Sequence, residues 1–279
     1  MPDFSRFLIA TDLDGTFFGA HASLLENNLR AVEYFKAHGG KFTMATGRVL
    51  PNALRAIPQA AELFNAPLIT SNGAYIYDLL ADRVINKTEL DAPALKALIL
   101  KVEELNPNIG MRVSTDTGFL VNQSRLTPMI QKELTSPHFV GEIVPAKDWD
   151  AQNAHWYKVV LRGTYEELCG IRDELYPMWC DVFEFSSSSP TLFEMEAKGC
   201  TKATGVAFVA DLLQKQYGHP ITTVTVGDQE NDLPMLSAGD ISACPENALD
   251  SVKKTAQWQL CHHTEGCIAD LISRLEALC

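Results

Sequence analysis

The sequence predicts an α/β fold in which a parallel-sheet domain carries an inserted α+β domain. Two patterns favour this class. Strand-like and helix-like segments alternate near both ends of the chain, whereas its middle contains pairs of strand-like segments separated by short turns. With 279 residues, 46% of them hydrophobic, the chain is long enough to bury a substantial core in one or two domains.

The first predicted strand, residues 7–11, runs directly into two acidic residues. Asp12 and Asp14 are two positions apart, and Gly15 permits a sharp turn after them. At the carboxyl end of a parallel strand, where open α/β sheets bind ligands, both side chains would face one metal ion and one substrate. A plain turn is the alternative interpretation, because Asp and Gly are common turn residues.

The next segments continue the alternation, and their strands again end in small or polar residues. Thr46-Gly47-Arg48 follows one strand, and Ser71-Asn72-Gly73 follows the next. Apolar periodicity and end signals predict helices at 23–38 and 49–65 and strands at 41–45 and 67–70. Strands joined through helices in this way indicate a parallel sheet.

The middle of the chain has the pattern of strand pairs and helices that is typical of an α+β unit. Predicted strand pairs lie at 74–77 and 83–86, 111–114 and 119–122, and 183–185 and 191–196, with a further strand at 156–162 and helices at 92–105, 125–134 and 165–178. We therefore predict an inserted domain at 78–190, within a core domain formed by 1–77 and 191–279.

Alternation returns after the insertion. Helices are predicted at 201–216, 233–238, 247–256 and 268–278, and strands at 222–226 and 241–243. Lys202 opens the first of these helices, and Asp228 and Asp232 follow the first of these strands. Several predicted strand ends therefore bring polar groups to one edge of the sheet.

Composition limits the partners. A formal net charge of -12 repels polyanions, which argues against nucleic acid and anionic membranes as partners. No apolar run approaches the length of about 20 residues that a membrane helix needs. Seven cysteines without a Cys-x-x-Cys pair fit reduced thiols, so a cytoplasmic protein is expected.

One group of possible metal ligands lies near the C-terminal helix. Cys261, His262, His263 and Cys267 match none of the common structural zinc spacings. A chance grouping is therefore favoured over a zinc site.

Four groups of residues, in this order, resemble the four motifs of the haloacid dehalogenase (HAD) superfamily. They are Asp12-Leu13-Asp14-Gly15-Thr16, Thr46-Gly47-Arg48, Lys202, and Gly227-Asp228 with Asn231-Asp232. Asn72-Gly73-Ala74 and the insertion after it resemble Cof-type phosphatases with a C2 cap, although Ala203 stands where the family often has Gly. The resemblance implies a Rossmann-like, three-layer parallel-sheet core, with residues 78–190 as the cap.

The resemblance also implies roles for these residues. Asp12 would attack phosphorus and form an aspartyl-phosphate, while Asp14 would move the proton. Asp12 is expected to be ionised and to be kept so by a nearby cation. The implied Mg2+ ligands are Asp12, the backbone carbonyl of Asp14, and Asp228. The implied phosphate-binding residues are Thr46, Lys202 and Asn231, and the supporting residues are Gly47, Arg48, Asn72 and Asp232. For Arg48, substrate contact and a structural ion pair are both open.

The expected function is a Mg2+-dependent phosphatase that acts on a small phosphorylated metabolite chosen by the cap. A sugar phosphate is favoured, with FMN and pyridoxal phosphate left open. Phosphotransferase or phosphomutase chemistry of the same superfamily is an alternative. A non-enzymatic, receiver-like phospho-acceptor is a weaker one, because it needs neither Asp14 nor the large insertion. The sequence makes no prediction of the oligomeric state.

Overall fold

The computed structural model describes residues 2–152 and 155–279. In chain order, the strands are β1 (Phe7–Thr11), β2 (Lys41–Met44), β3 (Leu68–Thr70), β4 (Tyr75–Asp78), β5 (Arg83–Lys87), β6 (Gly110–Thr115), β7 (Phe119–Asn122), β8 (Gly141–Val144), β9 (Trp156–Arg162), β10 (Phe183–Ser189), β11 (Leu192–Ala197), β12 (Thr222–Val226), β13 (Ile241–Cys244) and β14 (Trp258–Gln259). The helices are α1 (Glu26–Ala37), α2 (Leu50–Ala56), α3 (Ala60–Leu63), α4 (Ala92–Leu105), α5 (Pro128–Leu134), α6 (Tyr165–Trp179), α7 (Lys202–Tyr217), α8 (Leu233–Ala238), α9 (Asp250–Thr255) and α10 (Cys267–Glu276).

These elements form two compact units. The first unit consists of the residues up to Thr46, Gln59–Asn86 and Thr201–Cys279. The second unit consists of Gly47–Pro58 and Lys87–Cys200.

The first unit is built on a parallel sheet of order β14-β13-β12-β1-β2. β1 is buried along its whole length and is paired on both sides, as expected for a run of apolar and β-branched residues. Thr11 lies opposite Val226 of β12 and Met44 of β2. The three strands therefore end side by side, and the predicted parallel α/β core is confirmed.

One helix covers a face of this sheet near its functional edge. Three apolar residues of α7, Val206, Val209 and Leu213, pack in one cluster with Leu8 and Ala10 of β1. This packing fixes the amino terminus of α7, and with it Lys202, relative to the end of β1.

The second unit has a six-stranded sheet of order β10-β11-β9-β6-β7-β8, in which only β7 and β8 pair in parallel among the described pairs. Helices α4 and α6 share its hydrophobic core with one face of the sheet, through residues such as Leu98, Val102, Ile171 and Leu175. The second unit therefore has the predicted α+β architecture.

The division between the units differs from the predicted limits at 78 and 190. β5 joins β3 and β4 in a three-stranded sheet, and most of β5 falls in the first unit. β11 pairs with β9 and β10, so it belongs to the second unit. A hairpin pattern shows that two strands pair, but it carries no signal for which sheet they join.

The predicted helix at 49–65 is two helices, α2 and α3, separated around Pro58. Proline has no amide hydrogen to donate, and it disfavours helical geometry at the residue before it. Ile57 accordingly ends α2 with φ -129° and ψ 79°.

Candidate active site

Asp12 and Asp14 lie in the turn that leaves β1. Residues Leu13–Phe17 form a wide turn, which the Phe18 amide closes by donating to the Leu13 carbonyl at 2.9 Å. The turn leaves the Asp12 carboxylate buried and Asp14 exposed. The two acids therefore occupy different environments although they are only two residues apart.

Two residues of this turn approach Asp228 at the end of β12. Gly15 has φ +76°, and a Cβ atom at this position would lie 2.5 Å from Asp228 Oδ2. The Thr16 hydroxyl donates to Asp228 Oδ1 at 2.9 Å. A glycine is thus required both by the backbone conformation and by the close approach of the carboxylate.

Lys202 is the first residue of α7 and is only 1% exposed. Its Nζ atom donates to Asp12 Oδ1 at 2.7 Å and to Asp232 Oδ1 at 2.6 Å. Thr201 caps the helix by accepting from the Thr204 amide at 3.2 Å. The cap fixes the start of the helix, and the helix start places the ammonium between two acidic residues.

Asp232 organises the loop after β12. Its Oδ2 atom accepts from the amides of Asp228 and Gln229, at 2.9 and 3.0 Å, while Oδ1 accepts from Lys202. Asp232 is completely buried. Both of its oxygens are therefore engaged in holding Asp228 and Lys202 in place.

Three buried carboxylates converge at this edge. Asp12, Asp228 and Asp232 each offer one oxygen, and these oxygens lie within 4.8 Å of one another. Burial raises the pKa of Asp12 well above its ordinary value; Lys202 opposes this, whereas the charges of Asp232 and Asp228 add to it. Burial, together with the charge of Asp232, raises the pKa of Asp228 to about 6.

Lys202 remains charged in this environment. Burial alone would favour the neutral amine, but the charges of Asp12 and Asp232 outweigh it and raise the pKa of Lys202. One ammonium facing three carboxylates leaves an excess of negative charge. The expectation that Asp12 is ionised therefore requires a further cation.

The donor set fits Mg2+. It consists of carboxylate oxygens, which are the ligands that hard divalent cations prefer, and its excess charge is of the sign that a cation neutralises. Asp12 and Asp228, the two side-chain ligands that the resemblance implies, both belong to the cluster, and Asp232 is its third member.

The predicted phosphate-binding residues lie around the same edge. Thr46 is 1% exposed, and its carbonyl accepts from the Asn72 amide at 3.0 Å. Asn231 Nδ2 lies 3.4 Å from Asn72 Oδ1, whereas Asn231 Oδ1 is buried with no hydrogen-bond partner among the described residues. The Asn231 amide is therefore held by one end only.

Gly47 and Arg48 fall in the second unit, unlike Thr46. The Gly47 carbonyl accepts from Lys158 Nζ at 2.7 Å, and the same atom forms an ion pair with Glu194 at 2.8 Å. Sequence reasoning could not assign this partner, because Lys158 is an isolated lysine in a strand more than 100 residues away.

The side chains of the cysteine and histidine group near the C-terminus contact different hydrogen-bond partners. His262 Nδ1 contacts Thr264, His263 Nδ1 contacts the Phe18 carbonyl, and Cys267 Sγ contacts the Thr16 carbonyl. In the described part of the chain, the three acids Asp12, Asp228 and Asp232 are the group that could hold a metal ion.

A parallel α/β sheet with acidic residues and a buried lysine at the carboxyl ends of its strands is typical of one class of hydrolase. The chain belongs to the haloacid dehalogenase-like hydrolase family, whose model matches residues 9–272. The predicted Cof-type HAD membership is confirmed.

Two curated relatives are similar over nearly their whole length. One is the 5-amino-6-(5-phospho-D-ribitylamino)uracil phosphatase YitU of Bacillus subtilis, 24% identical over 277 residues, which cover 98% of each chain. The other is the pyridoxal phosphate phosphatase YbhA of Escherichia coli, 27% identical over 290 aligned positions, which cover 95% of this chain and 97% of that one.

Solved structures show the same fold. The HAD subclass IIB sugar phosphatase BT4131 superposes with a TM-score of 0.80 at 23% identity, over 96% of this chain and 98% of that one. Together with the phosphatase relatives, the family match confirms a phosphoric monoester hydrolase and argues against a receiver-like phospho-acceptor. Among the described residues, no helix has the length and apolar character needed to cross a membrane.

Proposed function

We propose that this protein is a Mg2+-dependent phosphatase that hydrolyses a small phosphorylated metabolite through an aspartyl-phosphate on Asp12. One observation carries the proposal: Asp12 Oδ1 lies 2.7 Å from a buried ammonium, in a cluster of three buried carboxylates. A nucleophile that is buried next to fixed positive charge is suited to attack a phosphoryl group, because that charge also stabilises the transferred oxygens.

In the first half of the reaction, an Asp12 oxygen forms a bond to phosphorus while the bond from phosphorus to the leaving oxygen breaks. Asp14 donates its proton to that leaving oxygen, so the product departs as an alcohol. In the second half, a water attacks the phosphoryl group on Asp12, and Asp14 takes the proton from this water. Asp12 is restored, and inorganic phosphate is released.

The other residues hold the phosphoryl group and the nucleophile. Lys202 fixes Asp12 and places positive charge beside it, while Thr46 and Asn231 donate hydrogen bonds to phosphoryl oxygens. Asp12, Asp228 and the backbone carbonyl of Asp14 would hold Mg2+, with Asp232 orienting its neighbours. When bound, Mg2+ supplies the positive charge that the cluster lacks and withdraws charge from the phosphoryl oxygens. Gly47, Arg48 and Asn72 are proposed to stabilise the loops that follow β2 and β3.

The second unit is proposed to act as a cap that excludes bulk water and selects the substrate. Phosphorylated small molecules appear in the names of the relatives, as a ribitylaminouracil phosphate and pyridoxal phosphate, and the structural neighbour is named a sugar phosphatase. A sugar phosphate or related polyol phosphate is therefore the favoured substrate class.

The test is phosphate release from a panel of sugar, polyol and cofactor phosphates, with and without Mg2+, by the protein and by its Asp12→Asn variant. The proposal expects release that needs both Mg2+ and Asp12. Release without Mg2+, equal release by the variant, or no release from any panel member or from an aryl phosphate would contradict it. Transfer of the phosphoryl group to a second sugar rather than to water would instead support the phosphotransferase or phosphomutase alternative.

A further inference from the structure

The turn after β1 is held by an unusual set of hydrogen bonds. Four successive backbone carbonyls, from Gly15 to Phe18, each accept a hydrogen bond from a side chain elsewhere in the first unit. The pairs are Asn247 Nδ2 to Gly15 at 2.8 Å, Cys267 Sγ to Thr16 at 3.2 Å, Asn28 Nδ2 to Phe17 at 3.2 Å, and His263 Nδ1 to Phe18 at 2.7 Å. We call these four donors, Asn28, Asn247, His263 and Cys267, the carbonyl cradle.

The cradle residues are themselves fixed. Asn247 Oδ1 accepts from the His263 amide at 3.2 Å, so these two donors are joined to each other. Asn28 is completely buried, and its Oδ1 atom accepts from the Ala269 amide at 3.0 Å. Each asparagine therefore uses both ends of its amide, and the donor end can point only to the turn.

The chemistry of two of these contacts defines which atom carries the hydrogen. A carbonyl oxygen only accepts, so Nδ1 of His263 carries a hydrogen in this contact. Burial raises the pKa of the Cys267 thiol far above its ordinary value, which keeps the S–H donor intact. Both His263 and Cys267 therefore act as hydrogen-bond donors to the turn.

The position of these contacts points to a role beyond folding. The Gly15 carbonyl directly follows Asp14, and Gly15 has a left-handed φ of +76°, a region in which glycine is freer than any other residue. A turn that contains such a residue has several accessible conformations unless its peptide groups are held. Asn247 holds the peptide that follows Gly15, and His263 holds the end of the turn.

We infer that Asn247 and His263 are positioning residues that fix the turn of residues 14–18 so that Asp14 reaches the leaving oxygen. This inference rests on the proposed role of Asp14 as the proton donor. Neither residue is proposed to contact the reacting atoms; both act through backbone carbonyls, Asn247 through that of Gly15 within the turn and His263 through that of Phe18 at its end.

The inference is tested by the dependence of the rate on the leaving group. A simple alkyl phosphate has a basic leaving oxygen and needs the proton, whereas p-nitrophenyl phosphate has a good leaving group and needs it little. The variants are Asn247→Leu and His263→Ala, with Asp14→Asn as the reference. For each, kcat/KM is measured on both substrates per mole of folded enzyme, because this parameter contains the step in which the leaving group departs.

A matched control is Asn65→Leu. Asn65 also bridges two backbone groups with its amide, accepting from the Phe42 amide at 2.8 Å and donating to the Gly40 carbonyl at 3.0 Å. It lies in the same unit but makes no hydrogen bond to the turn after β1, so it reports the effect of losing such a bridge on folding alone.

Asp14→Asn, Asn247→Leu and His263→Ala are expected to lose more activity on the alkyl phosphate than on p-nitrophenyl phosphate. For the two cradle variants the additional loss should be about 10-fold, a part of the 10²–10⁴-fold that a general acid contributes. Asn65→Leu is expected to leave the ratio of the two substrates unchanged.

Equal losses on both substrates in Asn247→Leu and His263→Ala, while Asp14→Asn shows the difference, would overturn the inference and leave the proposed function standing. If Asp14→Asn itself shows no difference between the substrates, the proposed role of Asp14 fails, and the inference fails with it. His263→Ala keeps the test decisive if Asn247→Leu does not fold.

Discussion

Each unit of this protein buries one lysine almost completely, but the two lysines have different surroundings. Lys202 in the first unit lies 2.7 Å from Asp12 and 2.6 Å from Asp232, and Asp228 completes a convergent cluster. Lys158 in the second unit has an ion pair with Glu194 at 2.8 Å and donates to a neutral carbonyl, that of Gly47, at 2.7 Å.

The surroundings of a buried lysine distinguish a chemical role from a structural one. An ion pair completed by a neutral acceptor is locally balanced and can serve packing alone. Among the described residues, three carboxylates converge on one ammonium, and an excess of buried charge of one sign is costly to fold unless it is compensated. This contrast supports the proposal that the first unit carries the reaction and that a cation completes its acidic cluster.

The largest effect is expected for Asp12→Asn. Loss of the nucleophile should lower kcat by more than about 10⁴-fold, as the removal of the nucleophile does in other covalent mechanisms. Glu194→Gln, the corresponding change beside Lys158, should retain most of kcat. Steady-state kinetics measure kcat for both variants. Similar losses of kcat in the two variants would contradict the proposed difference between the two lysine sites.

Asp14→Asn should lower kcat by about 10²–10⁴-fold, because the proton can no longer be donated to the leaving oxygen or taken from the attacking water. KM should change little, since Asp14 is exposed and is not proposed to bind the phosphoryl group. Kinetics on an alkyl phosphate measure this effect. An unchanged kcat would remove Asp14 from its proposed role.

Replacing each buried lysine by methionine separates function from stability. Lys202→Met should lower kcat by about 10²–10³-fold, the range seen when one charge-stabilising donor is removed. Lys158→Met should keep kcat within about 10-fold and should lower the free energy of unfolding by about 3–5 kcal/mol, because the buried carboxylate of Glu194 loses its ion pair with Lys158. Kinetics and urea denaturation are measured on both, and a Lys158→Met variant as inactive as Lys202→Met would contradict the comparison.

The smallest effect is a pH dependence of stability in the metal-free protein. Asp228 has an ordinary pKa of 3.8, which rises to about 6 in the folded state. The folded state therefore binds this proton more tightly than the unfolded state, so the contribution of Asp228 to stability should fall as the pH rises from about 4 to about 6 and then stay constant.

Thermal denaturation in the presence of a chelator measures this slope. The Asp228→Asn variant should flatten it, and added Mg2+ should stabilise the protein more at pH 7 than at pH 5, because protons and the cation compete for the same carboxylate. A slope that is unchanged in Asp228→Asn would show that other groups titrate in this range.

Much of the first unit was predictable from local patterns. Asp12 and Asp228 follow β-branched and apolar runs that are typical of buried strands, and strands of a parallel sheet end at one edge. Lys202 follows a threonine that caps a helix, which placed the ammonium at a helix start. These signals lie within a few residues of each functional side chain.

The features that the sequence could not indicate are contacts between residues that lie far apart in the chain. Asn247 and His263 meet the turn after β1 from more than 200 residues away, and an asparagine or a histidine outside a motif carries no local signal of its partner. The same reason explains β11, whose own pattern shows a strand but not the sheet that it joins. The excess charge at Asp12 likewise emerges only when three separate segments are brought together.

Passage of the phosphoryl group through Asp12 can be observed by mass spectrometry of the Asp14→Asn variant. With p-nitrophenyl phosphate and Mg2+, this variant can still be phosphorylated, because the leaving group needs little protonation, but it cannot activate water for the second step. After an acid quench, we expect one phosphoryl group on the peptide that contains Asp12 and none on an Asp12→Asn, Asp14→Asn double variant. Turnover without any phosphorylated protein, or a phosphoryl group on another residue, would contradict it.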